Sequence, residues 1–117
     1  MMKKMTITII RSMLAGMVVA ALAAVAIAQA AGFGVTIDNF TFTPQQITVK
    51  AGDTVTWTNH DDIPHTVTST TMAFRSKALD TDDKFSFTFA TPGTYAYFCS
   101  LHPHMTGTIV VEAAAGK

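Results

Sequence analysis

The only cysteine of the chain opens a short segment that brings three metal-binding side chains close together in sequence. In Cys99-Ser100-Leu101-His102-Pro103-His104-Met105, a thiol, an imidazole and a thioether follow one another at three-residue intervals. A fourth ligand must come from elsewhere, and His65, directly after Pro64, is the best candidate. Taken singly, each residue fits an ordinary core or surface position. Together, the four side chains predict a copper site, because this donor set suits both oxidation states of copper.

The first thirty residues have the pattern of a segment that is removed during export. Three basic residues, the last of them Arg11, accompany an apolar run over residues 13–28, and the small-x-small sequence Ala28-Gln29-Ala30 follows. This pattern predicts a signal peptide over residues 1–30 and one mature domain over residues 31–117. An uncleaved anchor is the alternative, but the apolar run is shorter than the roughly twenty residues of a spanning helix.

Composition restricts the partners and the role of the cysteine. Residues 31–117 retain five of the eight basic residues and all eight acidic ones, so the mature domain is slightly acidic and is not expected to bind nucleic acid. A single cysteine cannot form a disulfide within its own chain. Cys99 is therefore an intermolecular linker, a free reactive thiol or a metal ligand, and in an oxidising compartment such as the periplasm a ligand role protects the sulfur.

Short segments with alternating apolar residues run through the mature domain and predict β-strands. The pattern predicts an all-β, antiparallel Greek-key sandwich of about seven to eight strands. The shift of apolar parity to Phe40 and Phe42 predicts a bend at Asp38-Asn39 and places both rings on a buried face. Residues 65–68 are expected to form a strand that begins with His65. Residues 72–79 lack a clear period and are expected to be irregular, with room for one helical turn. The other expected strands carry Phe33, Val35 and Ile37; Ile47 and Val49; Val55 and Trp57; Phe85, Phe87 and Phe89; residues 94–99; and residues 107–111.

With these residues in view, the mature chain resembles the cupredoxins, and among them the amicyanin and plastocyanin-like blue copper proteins. The resemblance covers residues 33–112. Its supports are Ala51-Gly52-Asp53-Thr54-Val55-Thr56-Trp57, Pro64-His65, Gly93-Thr94-Tyr95-Ala96-Tyr97-Phe98-Cys99 and Gly107-Thr108-Ile109-Val110-Val111-Glu112. The Cys-x-x-His-x-x-Met spacing is most similar to the short ligand loop of amicyanins. Two positions differ, since amicyanins usually have Asn where this chain has Thr66 and an apolar residue where it has His104.

The resemblance implies that His65, Cys99, His102 and Met105 bind one copper ion. It also implies a monomeric periplasmic carrier that moves one electron from a donor dehydrogenase or cytochrome to an acceptor cytochrome or oxidase, with no enzymatic activity and no membrane contact after signal cleavage. Copper storage, scavenging or delivery is the first alternative, because the same ligands would serve it. A thiol enzyme with Cys99 as nucleophile and His65 or His102 as base is the second, although Met105 has no place in that chemistry.

Overall fold

The computed structural model describes residues 29–114, and these residues form eight β-strands arranged in two four-stranded sheets. The strands are β1 (Gly32–Asp38), β2 (Thr41–Thr43), β3 (Gln46–Lys50), β4 (Thr54–Asn59), β5 (Thr68–Ser69), β6 (Lys84–Thr88), β7 (Gly93–Cys99) and β8 (His102–Glu112). The described part of the chain contains no helix. The predicted all-β sandwich is confirmed.

The direction of strand pairing differs in one respect from that of a purely antiparallel sandwich. The sheets have the orders β2-β1-β4-β6 and β3-β8-β7-β5. Within them β1 pairs with β4 and β3 pairs with β8 in parallel, whereas the other neighbours are antiparallel. Each parallel pair joins strands that are not consecutive in sequence, because a parallel neighbour requires a crossover connection. Both sheets are therefore mixed.

The core lies between the two sheets and follows the alternation of the sequence. Trp57 on β4 and Tyr97 on β7 are fully buried, and their rings meet edge to face with centroids 5.5 Å apart. Burial raises the pKa of Tyr97 to about 12, because the phenolate is poorly solvated there. Gly107 on β8 lies against the same Tyr97 ring, and a Cβ at this position would overlap the ring. The glycine is therefore required by the close approach of β8 to an aromatic side chain.

Two local expectations need correction, and a third is confirmed. Phe40 is half exposed rather than buried, because Asn39 and Phe40 form a turn with φ values of 51° and 58° instead of continuing the strand. The strand expected over residues 65–68 is reduced to β5, and His65 forms an isolated bridge with Leu79. Residues 72–79 are irregular, as expected, contain no helical turn, and bury Phe74 and Leu79 in the core.

The predicted signal peptide over residues 1–30 lies, except for Gln29 and Ala30, outside the described residues. Within residues 29–114 there is no helix with the length and apolar character that crossing a membrane requires.

Candidate metal centre

Two of the proposed ligands close a tight hairpin between the last residue of β7 and the first residue of β8. Cys99 is paired directly with His102, so that only Ser100 and Leu101 connect the two strands. The ladder shifts register between Phe98 and Cys99. Cys99 is fully buried and His102 is half-buried. The segment interpreted as a ligand loop is thus a continuation of the sheet.

Met105 follows His102 on β8 and belongs to the hydrophobic core. It is 5% exposed, and the inward-facing alternation of β8 starts at this residue. Met105 and His102 also line one shallow groove together with Phe40, Pro103 and His104. The fold therefore brings the thioether to the same end of the sandwich as the hairpin.

His65 lies at the same end of the sandwich, on the segment that connects β4 to β5. Its backbone N–H donates to the Leu79 carbonyl at 3.1 Å, and the Leu79 N–H donates to the His65 carbonyl at 2.7 Å. The residue is fully buried. A two-way backbone bridge to a buried leucine fixes the position from which the imidazole points at Cys99.

The distances between these side chains fit a single metal ion. The Cys99 Sγ lies 3.7 Å from His65 Nδ1 and 3.6 Å from His102 Nδ1, and the three ligand atoms lie within 4.8 Å of one another. Metal–sulfur and metal–nitrogen bonds of about 2.3 and 2.0 Å, the lengths typical of zinc, separate S and N by about 3.5 Å in tetrahedral and about 3.7 Å in trigonal geometry. The group of His65, Cys99 and His102 can therefore hold a metal ion.

A carboxylate beside His65 fixes the tautomer of its ring. Asp61 Oδ2 lies 2.7 Å from His65 Nε2. Desolvation raises the pKa of Asp61, but hydrogen bonds from the Phe40 and Asn39 amides and from His65 outweigh this effect and lower the pKa to about 2. The ionised carboxylate is only an acceptor, so Nε2 carries the proton and the lone pair of Nδ1 faces the sulfur. This is the tautomer that a metal ligand needs.

Asp61 also fixes the turn that covers the site. Its two carboxylate oxygens accept the N–H groups of Asn39 at 2.7 Å and Phe40 at 3.0 Å, which holds both residues in the left-handed region that non-glycine residues rarely adopt. The Phe40 ring then lies edge-on to both imidazoles, with centroid distances of 5.4 Å to His65 and 5.0 Å to His102. One carboxylate thus places a histidine ring and the aromatic ring above it.

Thr66 connects the two segments that supply the proposed ligands. Its N–H donates to Cys99 Sγ at 3.3 Å, and its hydroxyl accepts the Ser100 N–H at 2.7 Å. The Ser100 hydroxyl lies 2.8 Å from the same oxygen. Hydrogen bonds to the sulfur and between the segments restrain the thiolate on one side and the hairpin on the other.

The two remaining histidines stand apart from this group. The His60 side chain is half exposed and lies 3.9 Å from Asp82. His104 is exposed on the rim of the groove. The roles of Asp61 and Phe40 at this site were not predicted from the sequence: no local pattern distinguishes Asp61 from Asp62, and the alternation around Phe40 predicted a buried ring.

Comparison with known proteins agrees with this geometry. A family model described as a cupredoxin-like domain matches residues 10–111. The amicyanin of Paracoccus versutus is 36% identical over 81 residues, which cover 65% of this chain and 61% of that protein. Amicyanin-alpha of Methylorubrum extorquens is 36% identical over 103 residues, which cover 84% of this chain and 87% of the relative.

A solved structure points the same way. The Cu(I) form of an amicyanin mutant superposes with a TM-score of 0.66 at 34% identity, covering 74% of this chain and 86% of the other. The family and the donor set together identify copper as the metal. With a family model matched along most of its length, and with a mixed β-sandwich that gathers two imidazoles around a buried thiol, this chain belongs to the cupredoxin family.

Proposed function

We propose that this protein is a type 1 copper electron carrier whose ligands are His65, Cys99, His102 and Met105. The observation that carries the proposal is the placement of two imidazole nitrogens 3.7 and 3.6 Å from a fully buried thiol. Copper bound there would accept and release one electron by cycling between Cu(II) and Cu(I). The soft sulfur donors suit Cu(I), and imidazole suits both states.

The restraints on the ligands support electron transfer over copper storage or delivery. A carrier works best when its ligands move little between oxidation states, and here each segment is tied to the rest of the sandwich. His65 is fixed by the Leu79 bridge and by Asp61, while Cys99 and His102 are a registered pair of the β7–β8 ladder. A protein that hands copper to another protein gains from ligands that open easily, and these are held from several sides.

We further propose that partners exchange electrons at the end of the sandwich where His102 lies. His102 is half-buried in a groove with Phe40, Pro103 and His104, whereas His65 is fully buried. The proposed partners are redox proteins, with a dehydrogenase or cytochrome as donor and a cytochrome or oxidase as acceptor. The carrier itself is proposed to be a monomer. It is also proposed to have no enzymatic activity, because the buried Met105 thioether has no function in thiol catalysis.

The proposed location is the periplasm, which the chain reaches through a signal peptide over residues 1–30, leaving a mature cupredoxin domain over residues 31–117. All eight strands lie between Gly32 and Glu112, so this cleavage removes no part of either sheet.

Addition of Cu(II) to the apoprotein, followed by visible spectroscopy and electron self-exchange measurements, tests the proposed function. We expect one copper per chain, an intense blue band from the Cu(II)–thiolate bond and rapid self-exchange. A colourless complex would contradict the type 1 site. A blue complex with slow self-exchange that releases copper readily to a competing chelator would favour copper delivery instead. Thiol labelling of the copper-loaded protein distinguishes a copper ligand from an enzyme nucleophile. Cys99 should be protected from the reagent if its sulfur binds copper and should react if it is a free nucleophile.

A further inference from the structure

The end of the sandwich opposite the metal centre contains a second carboxylate that binds backbone amides. Asp53, in the turn before β4, is 5% exposed. Its Oδ1 accepts the Ala31 N–H and its Oδ2 accepts the Lys50 N–H, each at 2.8 Å. Ala31 is the residue directly before β1, and its carbonyl accepts the Thr54 N–H at 3.0 Å. The chain therefore enters the fold at a nitrogen that is bound to a nearly buried acid.

The bond to Ala31 dominates the electrostatics of this acid. The pKa of Asp53 is lowered chiefly by the Ala31 amide and then by the Lys50 amide, against the opposing effect of burial. Lys50 and Glu112 line the same cleft, pair with each other at 3.4 Å and are both about half exposed, and the charge of Lys50 is the smallest of the effects on the Asp53 pKa. A nearly buried carboxylate gains most from a positive charge placed directly on one of its oxygens.

The nitrogen that Asp53 binds is also the one that signal cleavage would release. The small-x-small sequence Ala28-Gln29-Ala30 predicts hydrolysis of the bond between Ala30 and Ala31. Gln29, Ala30 and Ala31 are exposed, so the segment around this bond is open to solvent.

We propose that Ala30-Ala31 is the processing site of this chain and that Asp53 is the binding site for the new N-terminus. A signal peptidase adds water across the peptide bond, which gives the Ala30 carboxylate and the Ala31 α-ammonium. The neutral N–H donor on Asp53 Oδ1 becomes a cationic one, and a charge-assisted hydrogen bond replaces an amide hydrogen bond. Processing then strengthens the contact that anchors the first residue of β1, so the mature domain is more stable than the precursor. This inference rests on the export that is part of the proposed function.

The first test locates the cleavage. The full 117-residue chain is expressed in a Gram-negative bacterium, and the intact mass of the exported protein is measured. We expect a chain that begins at Ala31. An uncleaved chain would overturn both export and this inference, whereas an exported chain that begins elsewhere would overturn this inference alone. The blue copper band, measured on the same sample, reports on the proposed electron carrier independently of the N-terminus.

The second test asks whether Asp53 holds the α-ammonium. The exported protein is treated at neutral pH with a limiting amount of an amine-acylating reagent, and modification of the Ala31 α-amine is followed by peptide mass spectrometry. A carboxylate at the amine favours the unreactive ammonium form. We expect labelling to be several-fold slower in the wild type than in Asp53→Asn.

Asp61→Asn is the matched control, because it removes a carboxylate that binds two backbone amides at the other end of the sandwich. This variant should label at the wild-type rate. Complete acetylation of the α-amine should also lower the thermal unfolding midpoint of the wild type and leave that of Asp53→Asn nearly unchanged. Equal labelling rates in all three proteins, or an equal loss of stability on acetylation with and without Asp53, would overturn the proposal.

Discussion

The two ends of β4 each have a carboxylate that binds two backbone amides, but the two carboxylates are used differently. Asp53 precedes the strand and accepts the amides of Ala31 and Lys50. Asp61 follows it and accepts those of Asn39 and Phe40, and in addition binds a ring nitrogen of His65. The same local chemistry thus fixes the start of β1 at one end and orients a proposed copper ligand, His65, at the other.

The difference between the two carboxylates is their third partner. Asp53 acts on backbone, so its loss should change the stability of the fold. Asp61 acts on backbone and on the imidazole of the proposed ligand His65, so its loss should change both stability and redox chemistry. Asp61 Oδ2 accepts the Phe40 N–H and also contacts His65 Nε2, and this additional contact is what distinguishes its proposed role from that of Asp53.

Removing the thiol should have the largest effect and should affect the copper end alone. In Cys99→Ser we expect complete loss of the blue band, because the Cu(II)–thiolate bond that produces it is gone. Circular dichroism of the apoprotein should still report a β-sandwich. His60→Ala is the control and should retain the band, since its side chain is half exposed and lies beside Asp82. Loss of colour in the His60 variant would mean that His65 is the wrong upstream ligand.

Neutralising the two carboxylates in separate variants tests the comparison directly. In Asp61→Asn we expect about 10- to 100-fold weaker Cu(II) binding, the usual cost of losing a partner of a ligand histidine. The reduction potential should rise, because the negative charge favours Cu(II) over Cu(I). In Asp53→Asn the potential should stay at the wild-type value while the thermal unfolding midpoint falls. Voltammetry and thermal unfolding of both variants measure these effects, and a wild-type potential in Asp61→Asn would remove its assigned role.

Acid should weaken both ends together. The folded protein lowers the pKa of Asp61 to about 2 and also lowers that of Asp53, both from 3.8. Below pH 3.8 the folded state therefore binds fewer protons than the unfolded state. The stabilisation that these two carboxylates contribute is present above pH 3.8 and is lost as the pH falls toward 2. Urea unfolding of the apoprotein measures this loss. Each Asn variant should show a smaller loss than the wild type, and parallel pH profiles for all three proteins would contradict the assignment.

The smallest effect is expected at Thr66, which supports the copper end through a hydroxyl rather than a charge. Thr66→Val removes the acceptor of the Ser100 N–H but keeps the N–H that donates to Cys99 Sγ. We expect a loss of about 1 to 2 kcal/mol in the free energy of unfolding, because the Ser100 N–H and the Ser100 hydroxyl both lose their partner. The blue band should shift only slightly. Thr66→Ser, which retains the hydroxyl, should behave as the wild type does, and loss of the blue band in Thr66→Val would show that the hydroxyl does more than connect the segments.

The strands and the group of candidate ligands were predictable because their signals are local. Alternation over a few residues places Val35 and Ile37, or Tyr97 and Cys99, on one face, and the structure buries these four residues as expected. The spacing of Cys99, His102 and Met105 places three donor atoms in one short segment before any fold is known.

The features that were not predicted depend on contacts between residues distant in sequence. Asp61 and Asp62 are chemically equivalent in the sequence, and the tertiary fold alone brings the first of them to His65 and to the Asn39-Phe40 turn. The parallel pairing of β1 with β4 and of β3 with β8 is likewise a long-range choice between partners. Phe74 and Leu79 enter the core from an irregular segment, where burial produces no periodic pattern.

The direct pairing of Cys99 with His102 makes the copper site part of the register of β8. This strand continues to Glu112, and its inward positions include Met105, Gly107 and Ile109. One residue inserted between Cys99 and Met105 has two ways to fit. It either bulges out of the hairpin or moves every later side chain of β8 to the opposite face, which would expose the core and press a larger residue against Tyr97. An insertion that does not bulge out therefore changes the spacing of the donor atoms and the packing of the sandwich at the same time.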